Sequence, residues 1–191
     1  MERLDVVMVR NTLDNIPQFA LPAPYAVRWY RPGNEAAWRR IQTAADKFNT
    51  FPPEKFAQQF GTDPATVAQR MCFLCDGRNR EVGTMTAWFG EAAEWEGWGR
   101  VHWVAVVPEL QGLGLSKPLM AATLTRLAEL GHTRAYLTTA TVRPTAINLY
   151  LKCGFLPHIR DAADLRAWQL VRSKLRPEYW QPALKQVAEL E

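Results

Sequence analysis

Cysteine is scarce, with three in 191 residues, too few for the disulfide scaffold that small secreted domains use in place of a core. Long apolar runs are missing too. The longest are short pieces such as Met71–Cys75 and Val104–Val107, against the roughly 18 residues a membrane helix needs. The opening Met-Glu-Arg-Leu-Asp is not basic and leads to no apolar stretch, which predicts no signal peptide. Cys72 and Cys75 form a single C-x-x-C with no second pair, and the only histidines are His102, His132 and His158. No metal site is expected from that set, because an odd separation on a strand sends the two thiols to opposite faces. Charge of one sign is in small excess: 23 Lys+Arg against 19 Asp+Glu gives +4. The basic residues are scattered, which speaks against a nucleic-acid partner and leaves a mild preference for an anionic small ligand. Repeats and low-complexity segments are absent.

What is present is a core-forming composition, 48% hydrophobic and 11% aromatic, which excludes a disordered chain and predicts a soluble, cytoplasmic protein. Residues Leu4–Arg10 read as a strand, followed by a loop punctuated by Pro17, Pro22 and Pro24. Ala26–Arg31 alternates like a strand. Asn34 then opens a helix to about Lys47, and two short helices follow, near Glu54–Phe60 and from Pro64 to Arg70 behind the capping Asp63. Met71–Cys75 and Val82–Phe89 form a hairpin pattern. An acidic, Trp-bearing loop leads into the strand Arg100–Val107, which Pro108 ends.

The best-defined helix is Leu115–Leu130, with Met120, Leu124, Leu127 and Ala128 on one arc, flanked by Leu119 and Leu130. The strand Ala135–Thr139 follows, and then a helix that begins at Pro144 and stops at Gly154. Phe155–Ile159 and Ala167–Arg172 look like closing strands, and Pro177 starts a short terminal helix. A strand–helix–strand crossover makes Arg100–Val107 and Ala135–Thr139 parallel, while the hairpins make the sheet mixed. The class is α+β, or mixed α/β.

The segment Gln111-Gly112-Leu113-Gly114-Leu115-Ser116 lies where a buried strand passes into a helix. Free backbone N–H groups and the helix dipole there suit a phosphate, and glycine allows close approach. A P-loop fails, because Lys117 follows Ser116 and precedes Pro118. A dinucleotide fingerprint fails as well, since a third glycine is needed where Lys117 stands. The remaining reading without a family is a tight turn with no ligand.

This segment resembles the acyl-CoA pyrophosphate loop of the GNAT family of N-acetyltransferases, whose pattern is Gln or Arg, two residues, Gly, one residue, then Gly or Ala. Gln111 and Gly114 match it, and the small Ser116 departs at the last position. Downstream, Ala146-Ile147-Asn148-Leu149-Tyr150-Leu151-Lys152-Cys153-Gly154-Phe155 is similar to the family's Ala, Leu-Tyr, Gly-Phe pattern. The resemblance spans about residues 25–172, leaving 1–24 as an N-terminal extension and 173–191 as a tail. It implies a three-layer fold with a mixed, central, splayed sheet. It also implies acetyl-CoA as co-substrate, held by Gln111, Gly112, Leu113, Gly114, Leu115, Ser116 and Asn148. Backbone groups of Val106 and Val107 would pair with the pantetheine amides, on ladder positions that the splay leaves free.

Acetyl transfer to an amine needs a neutral nucleophile, an oxyanion donor and a departing thiolate. The resemblance implies Tyr150 as general acid, set against its reading as a core aromatic beside Ile147 and Ala146. His102, on the strand before the loop, is the candidate base, since an unperturbed imidazole titrates near ~6.5; the competing reading is a hydrogen-bonded core histidine. Glu91, Glu94 and Glu96, near Trp88, Trp95, Trp98 and Trp103, would attract a cationic acceptor if the loop borders the site, or form a solvated hairpin loop if it does not. The expected activity is direct acetyl transfer from acetyl-CoA to a primary amine of a small molecule, with a homodimer left open. A non-catalytic acyl-CoA-binding sensor of the same fold is the alternative.

Overall fold

Side-chain capping sets some of the helix starts in the computed structural model, which describes residues 1–188. Asp63 accepts from the backbone N–H groups of Ala65 and Thr66 at 3.0 and 3.2 Å and so opens a helix at Pro64. The elements in chain order are β1 (Asp5–Arg10), β2 (Ala26–Trp29), α1 (Glu35–Ala45), α2 (Lys55–Phe60), α3 (Pro64–Arg70), β3 (Met71–Cys75) and β4 (Glu81–Phe89). There follow β5 (Gly99–Val106), α4 (Ser116–Glu129), β6 (Ala135–Ala140), α5 (Pro144–Lys152), β7 (Leu156–His158), α6 (Ala162–Val171) and α7 (Pro177–Ala188). The strands form a mixed seven-stranded sheet in the order β2-β3-β4-β5-β6-β1-β7, as the α+β class requires. Two compact units divide the chain, and the division falls within β5 after Arg100.

The first unit comprises Met1–Asn15, Phe89–Arg100 and the chain from His132 onward. β1 lies between two antiparallel neighbours, with Asp5↔Ala140 through Arg10↔Ala135 on β6 and Val7↔His158 through Val9↔Leu156 on β7. The strand start Gly99–Arg100 pairs in parallel with Ala135–Tyr136, as the crossover rule predicts. Arg10 is buried, and its Nη1 and Nη2 donate to the carbonyls of Cys153 and Asp14 at 2.7 and 2.9 Å. Those bonds tie β1 to the turn between α5 and β7.

One expected element changes type. Ala167–Arg172, expected as a closing strand, belongs to helix α6 except for its last residue. Asp161 caps that helix by accepting from Ala163 and Asp164 N–H at 2.9 Å each. Asp164, Ala167, Trp168 and Val171 are its buried residues, a spacing of three and four that fits one helical face and not a strand. Trp168 stacks on Trp180 of α7 with centroids 5.6 Å apart.

The second unit comprises Ile16–Trp88 and Val101–Gly131. Every residue of β3 is buried, so Cys72 and Cys75 are both sequestered as free thiols. Helix α4 buries Leu119, Met120, Leu124 and Leu127 as its periodicity predicts. Ala128 is exposed, and Thr123 takes the inward place by donating to the Leu119 carbonyl at 2.9 Å. Trp38, fully buried, is met edge-on by Phe51, Phe56, Phe60 and Trp103 with centroids 5.4–5.8 Å away, the arrangement that aromatic quadrupoles prefer.

Gly154 has a φ of +84°, and a Cβ there would lie 2.0 Å from Arg10 Nη1. Gly154→Ala is therefore expected to cost about 1–3 kcal/mol in urea unfolding, from backbone strain and displacement of the arginine. A midpoint unchanged from wild type would show that the turn relaxes without loss.

Candidate functional site

The second unit holds the glycine-rich turn and the strand that feeds it. A one-turn 3₁₀ helix, Pro108–Leu110, leads from β5 into the turn. Gly112 and Gly114 adopt φ values of +81° and +80°, and Leu113 between them is 61% exposed. Positive φ at both positions is a conformation that glycine adopts at little cost. The first turn of α4 carries no acidic residue, and Leu115 before it supplies no side-chain cap. The first N–H groups of the helix therefore receive no side-chain cap from Leu115. Beyond Gly112 a Cβ would meet nothing within 4 Å, which leaves open space over the turn.

Gln111 is used internally. Its Nε2 donates to the Val106 carbonyl at 2.9 Å, stapling the turn to the strand end. Val107 also departs from expectation. Its N–H donates to the Val82 carbonyl at 2.9 Å, so its ladder position is occupied by β4. Strand alternation then directs the backbone groups of Val106 to the side away from β4.

Midway along β5, Trp103 has a φ of +50°, a conformation that costs a bulky residue of the order of 1–3 kcal/mol. Burial along the strand loses its period of two at this point, with Val101 and His102 both buried and Trp103 and Val104 both half-buried. Two glutamines hold the irregularity. Gln42 of α1 donates through Nε2 to the Trp103 carbonyl at 2.9 Å, and Gln59 of α2 accepts from Trp103 Nε1–H at 2.8 Å. Phe51 meets the same indole edge-on at 5.5 Å.

His102 sits directly before this point, 8% exposed, with Nε2 3.2 Å from Gln59 Oε1. Phe60 and Trp103 pack around its ring at 5.9 and 5.4 Å. Sequence reasoning singled out His102 and missed Gln42 and Gln59, since no local pattern marks a glutamine that bonds to a strand 61 or 44 positions away. A cavity of about 390 Å³ in this unit, bordered by Trp29, Arg126 and Glu129, includes none of the expected site residues.

In the first unit, Tyr150 is a buried residue of α5, its ring edge-on to Phe155 at 6.2 Å. Burial pushes its phenol up to about 12, outweighing the opposing charge of Arg143. The hydroxyl is thus protonated across the neutral range, as a proton donor must be. Asn148 Oδ1 accepts from the Arg176 backbone N–H at 2.9 Å, so its carbonyl anchors the segment before α7.

The acidic loop is tied down within the same unit. Glu91 forms an ion pair with Arg100, and Glu94 lies 3.9 Å from Arg160. Trp95 is buried and stacks on Tyr136 at 4.3 Å. Trp95 anchors the loop, while Glu91, Glu94 and Glu96 themselves remain exposed to solvent. Among the described residues, no group of three or more His, Cys, Asp or Glu is placed to hold a metal ion. Likewise, no described helix is long and apolar enough to cross a membrane.

The architecture is thus an irregular strand that passes through a glycine turn into a helix, within a mixed sheet. The chain belongs to the acetyltransferase (GNAT) family, whose model matches residues 28–155. Two curated relatives are mycothiol acetyltransferases. That of Geodermatophilus obscurus is 29% identical over 177 residues, covering 81% of this chain and 52% of the relative. That of Pseudarthrobacter chlorophenolicus is 30% identical over 153 residues, covering 74% and 45%. The chain thus spans about half the length of the curated relatives it matches. Among solved structures, a GCN5-related N-acetyltransferase from Sphaerobacter thermophilus superposes with a TM-score of 0.67 at 21% identity, covering 81% of this chain and 48% of that one. One from Kribbella flavida gives 0.57 at 18% identity, covering 82% and 55%. Both show the same fold.

Gln42→Leu removes the only donor that α1 offers to the Trp103 carbonyl and is expected to cost about 1–3 kcal/mol. Urea unfolding measures this; a loss under about 0.5 kcal/mol would mean the strand holds its shape without the glutamine.

Proposed function

We propose that the chain transfers an acetyl group from acetyl-CoA to a primary amine of a small molecule by direct attack on the thioester. The observation that carries this reading is the pair of positive-φ glycines, Gly112 and Gly114, just before α4, within a family match that includes both motifs. That turn would take the pyrophosphate of acetyl-CoA through the N–H groups of Gly112 to Ser116, and Val106 would bond the pantetheine arm. The small-molecule acceptor draws support from the names of the two mycothiol acetyltransferase relatives, and a cytoplasmic setting goes with it.

In this mechanism, His102 takes a proton from the acceptor's ammonium group, leaving a neutral amine. The amine nitrogen bonds to the thioester carbonyl carbon, and the carbon–sulfur bond breaks on collapse of the tetrahedral intermediate. Tyr150 gives its hydroxyl proton to the departing thiolate, the proton lost by the new amide nitrogen returns the phenolate to phenol, and His102 releases its proton to solvent. Its phenol, held protonated up to about pH 12 by burial, contributes no alkaline limb to the rate at lower pH. Any such limb belongs to another group.

A thermal shift with acetyl-CoA, CoA, ATP and NAD tests the binding half. At 100 times Kd a ligand adds about 2.7 kcal/mol, roughly 5–10 °C for a chain of this size. A shift with both CoA species and neither nucleotide supports the reading, and the absence of any CoA-dependent shift refutes it. Binding without turnover across a broad amine panel would make the protein a sensor. Tyr150→Phe is expected to lower turnover by roughly 10- to 10⁴-fold with CoA affinity unchanged, and a full-speed variant would remove Tyr150 from the chemistry. For His102, the check is a pH–rate profile in which the acidic limb disappears in His102→Ala.

A further inference from the structure

His102 and Trp103 share one acceptor atom, and that sharing decides which imidazole nitrogen carries the hydrogen of the neutral ring. Indole Nε1–H is a donor only. Its 2.8 Å contact with Gln59 Oε1 therefore fixes the orientation of the Gln59 amide, since the reversed amide would set two donors against each other. The oxygen so fixed also lies 3.2 Å from His102 Nε2. An oxygen acceptor at that distance calls for a hydrogen on Nε2, and in the neutral ring the lone pair then resides on Nδ1. Gln59 is itself held in place, because its neighbours on α2, Phe56 and Phe60, are buried against Trp38 at 5.4 and 5.5 Å.

We infer that Gln59 is a positioning residue that locks His102 in the Nε2–H tautomer, so that a proton taken up by the neutral ring goes to Nδ1. The inference rests on the reading of His102 as base and refines it. On proton uptake at Nδ1 the Nε2–H···Oε1 bond persists, so the same glutamine holds the ring in both protonation states. Without it, two tautomers of similar energy would compete, and one of them would carry its hydrogen on Nδ1. The indole is the reference point of the arrangement. It aligns the glutamine, and the glutamine aligns the histidine.

The test is long-range 15N–1H correlation spectroscopy on the 15N-labelled full chain at a pH of about 9, where an ordinary imidazole is neutral. It assigns the protonated ring nitrogen directly and needs no acceptor substrate. Wild type is expected to show His102 as a single Nε2–H tautomer. Gln59→Leu should lose that pattern for a mixture, and Gln59→Glu, which keeps an oxygen for both donors, should restore it. A wild-type ring protonated on Nδ1, or a Gln59→Leu spectrum identical to wild type, overturns the proposal. Because the wild-type spectrum alone can refute it, a Gln59→Leu chain that fails to fold does not remove the test. The base reading is judged separately: an unchanged rate in His102→Ala defeats it whatever tautomer the spectrum reports.

Discussion

The left-handed backbone at Trp103 is the constraint around which the second unit is organised. An indole at a φ of +50° persists only where its surroundings leave no cheaper arrangement. Here the surroundings are α1, α2 and the connection between them, which contribute Gln42, Gln59 and Phe51 to the carbonyl, the N–H and the ring. The strain is local, and its compensation is spread over residues far apart in sequence. His102, directly before this point, is buried along with Val101. Strand β5 continues past the irregularity into the 3₁₀ turn and the glycines. The candidate base and the glycine turn thus belong to one continuous stretch of chain.

The first unit solves a different problem. Its middle strand, β1, comes from the start of the chain and fills the place between β6 and β7. A strand with neighbours on both edges has its backbone donors and acceptors used up, which removes an edge that would otherwise invite association. Arg10 extends the strand's influence to the turn after α5. The acidic loop joins this unit through Glu91–Arg100 and through the Trp95–Tyr136 stack.

Much of the fold was legible in local sequence. Proline and glycine marked the ends of α3, β5, α4 and α5, and helical periodicity found the buried face of α4. The two motifs located the glycine turn and Tyr150. The reading failed where two patterns overlap. Ala167–Arg172 is short and apolar enough to pass for a strand, and only the capping Asp161 with the three–four spacing of Asp164, Ala167, Trp168 and Val171 marks it as helix. Ala128 failed for a related reason, because a projection at fixed angle cannot know which part of an apolar arc the sheet covers.

The sequence by itself determined the order and type of most elements and the glycine turn, because caps, turns and periodicity act over a few residues, and the family resemblance singled out Tyr150 and His102. Only the tertiary structure decided that β1 is an inner strand, that Val107 N–H is committed to Val82, and that two of the loop's acids are paired. The same holds for His102, whose donor nitrogen depends on a glutamine 43 residues away. Hydrogen bonds of that reach are set when the elements pack together, and nothing in the residues adjoining His102 announces them.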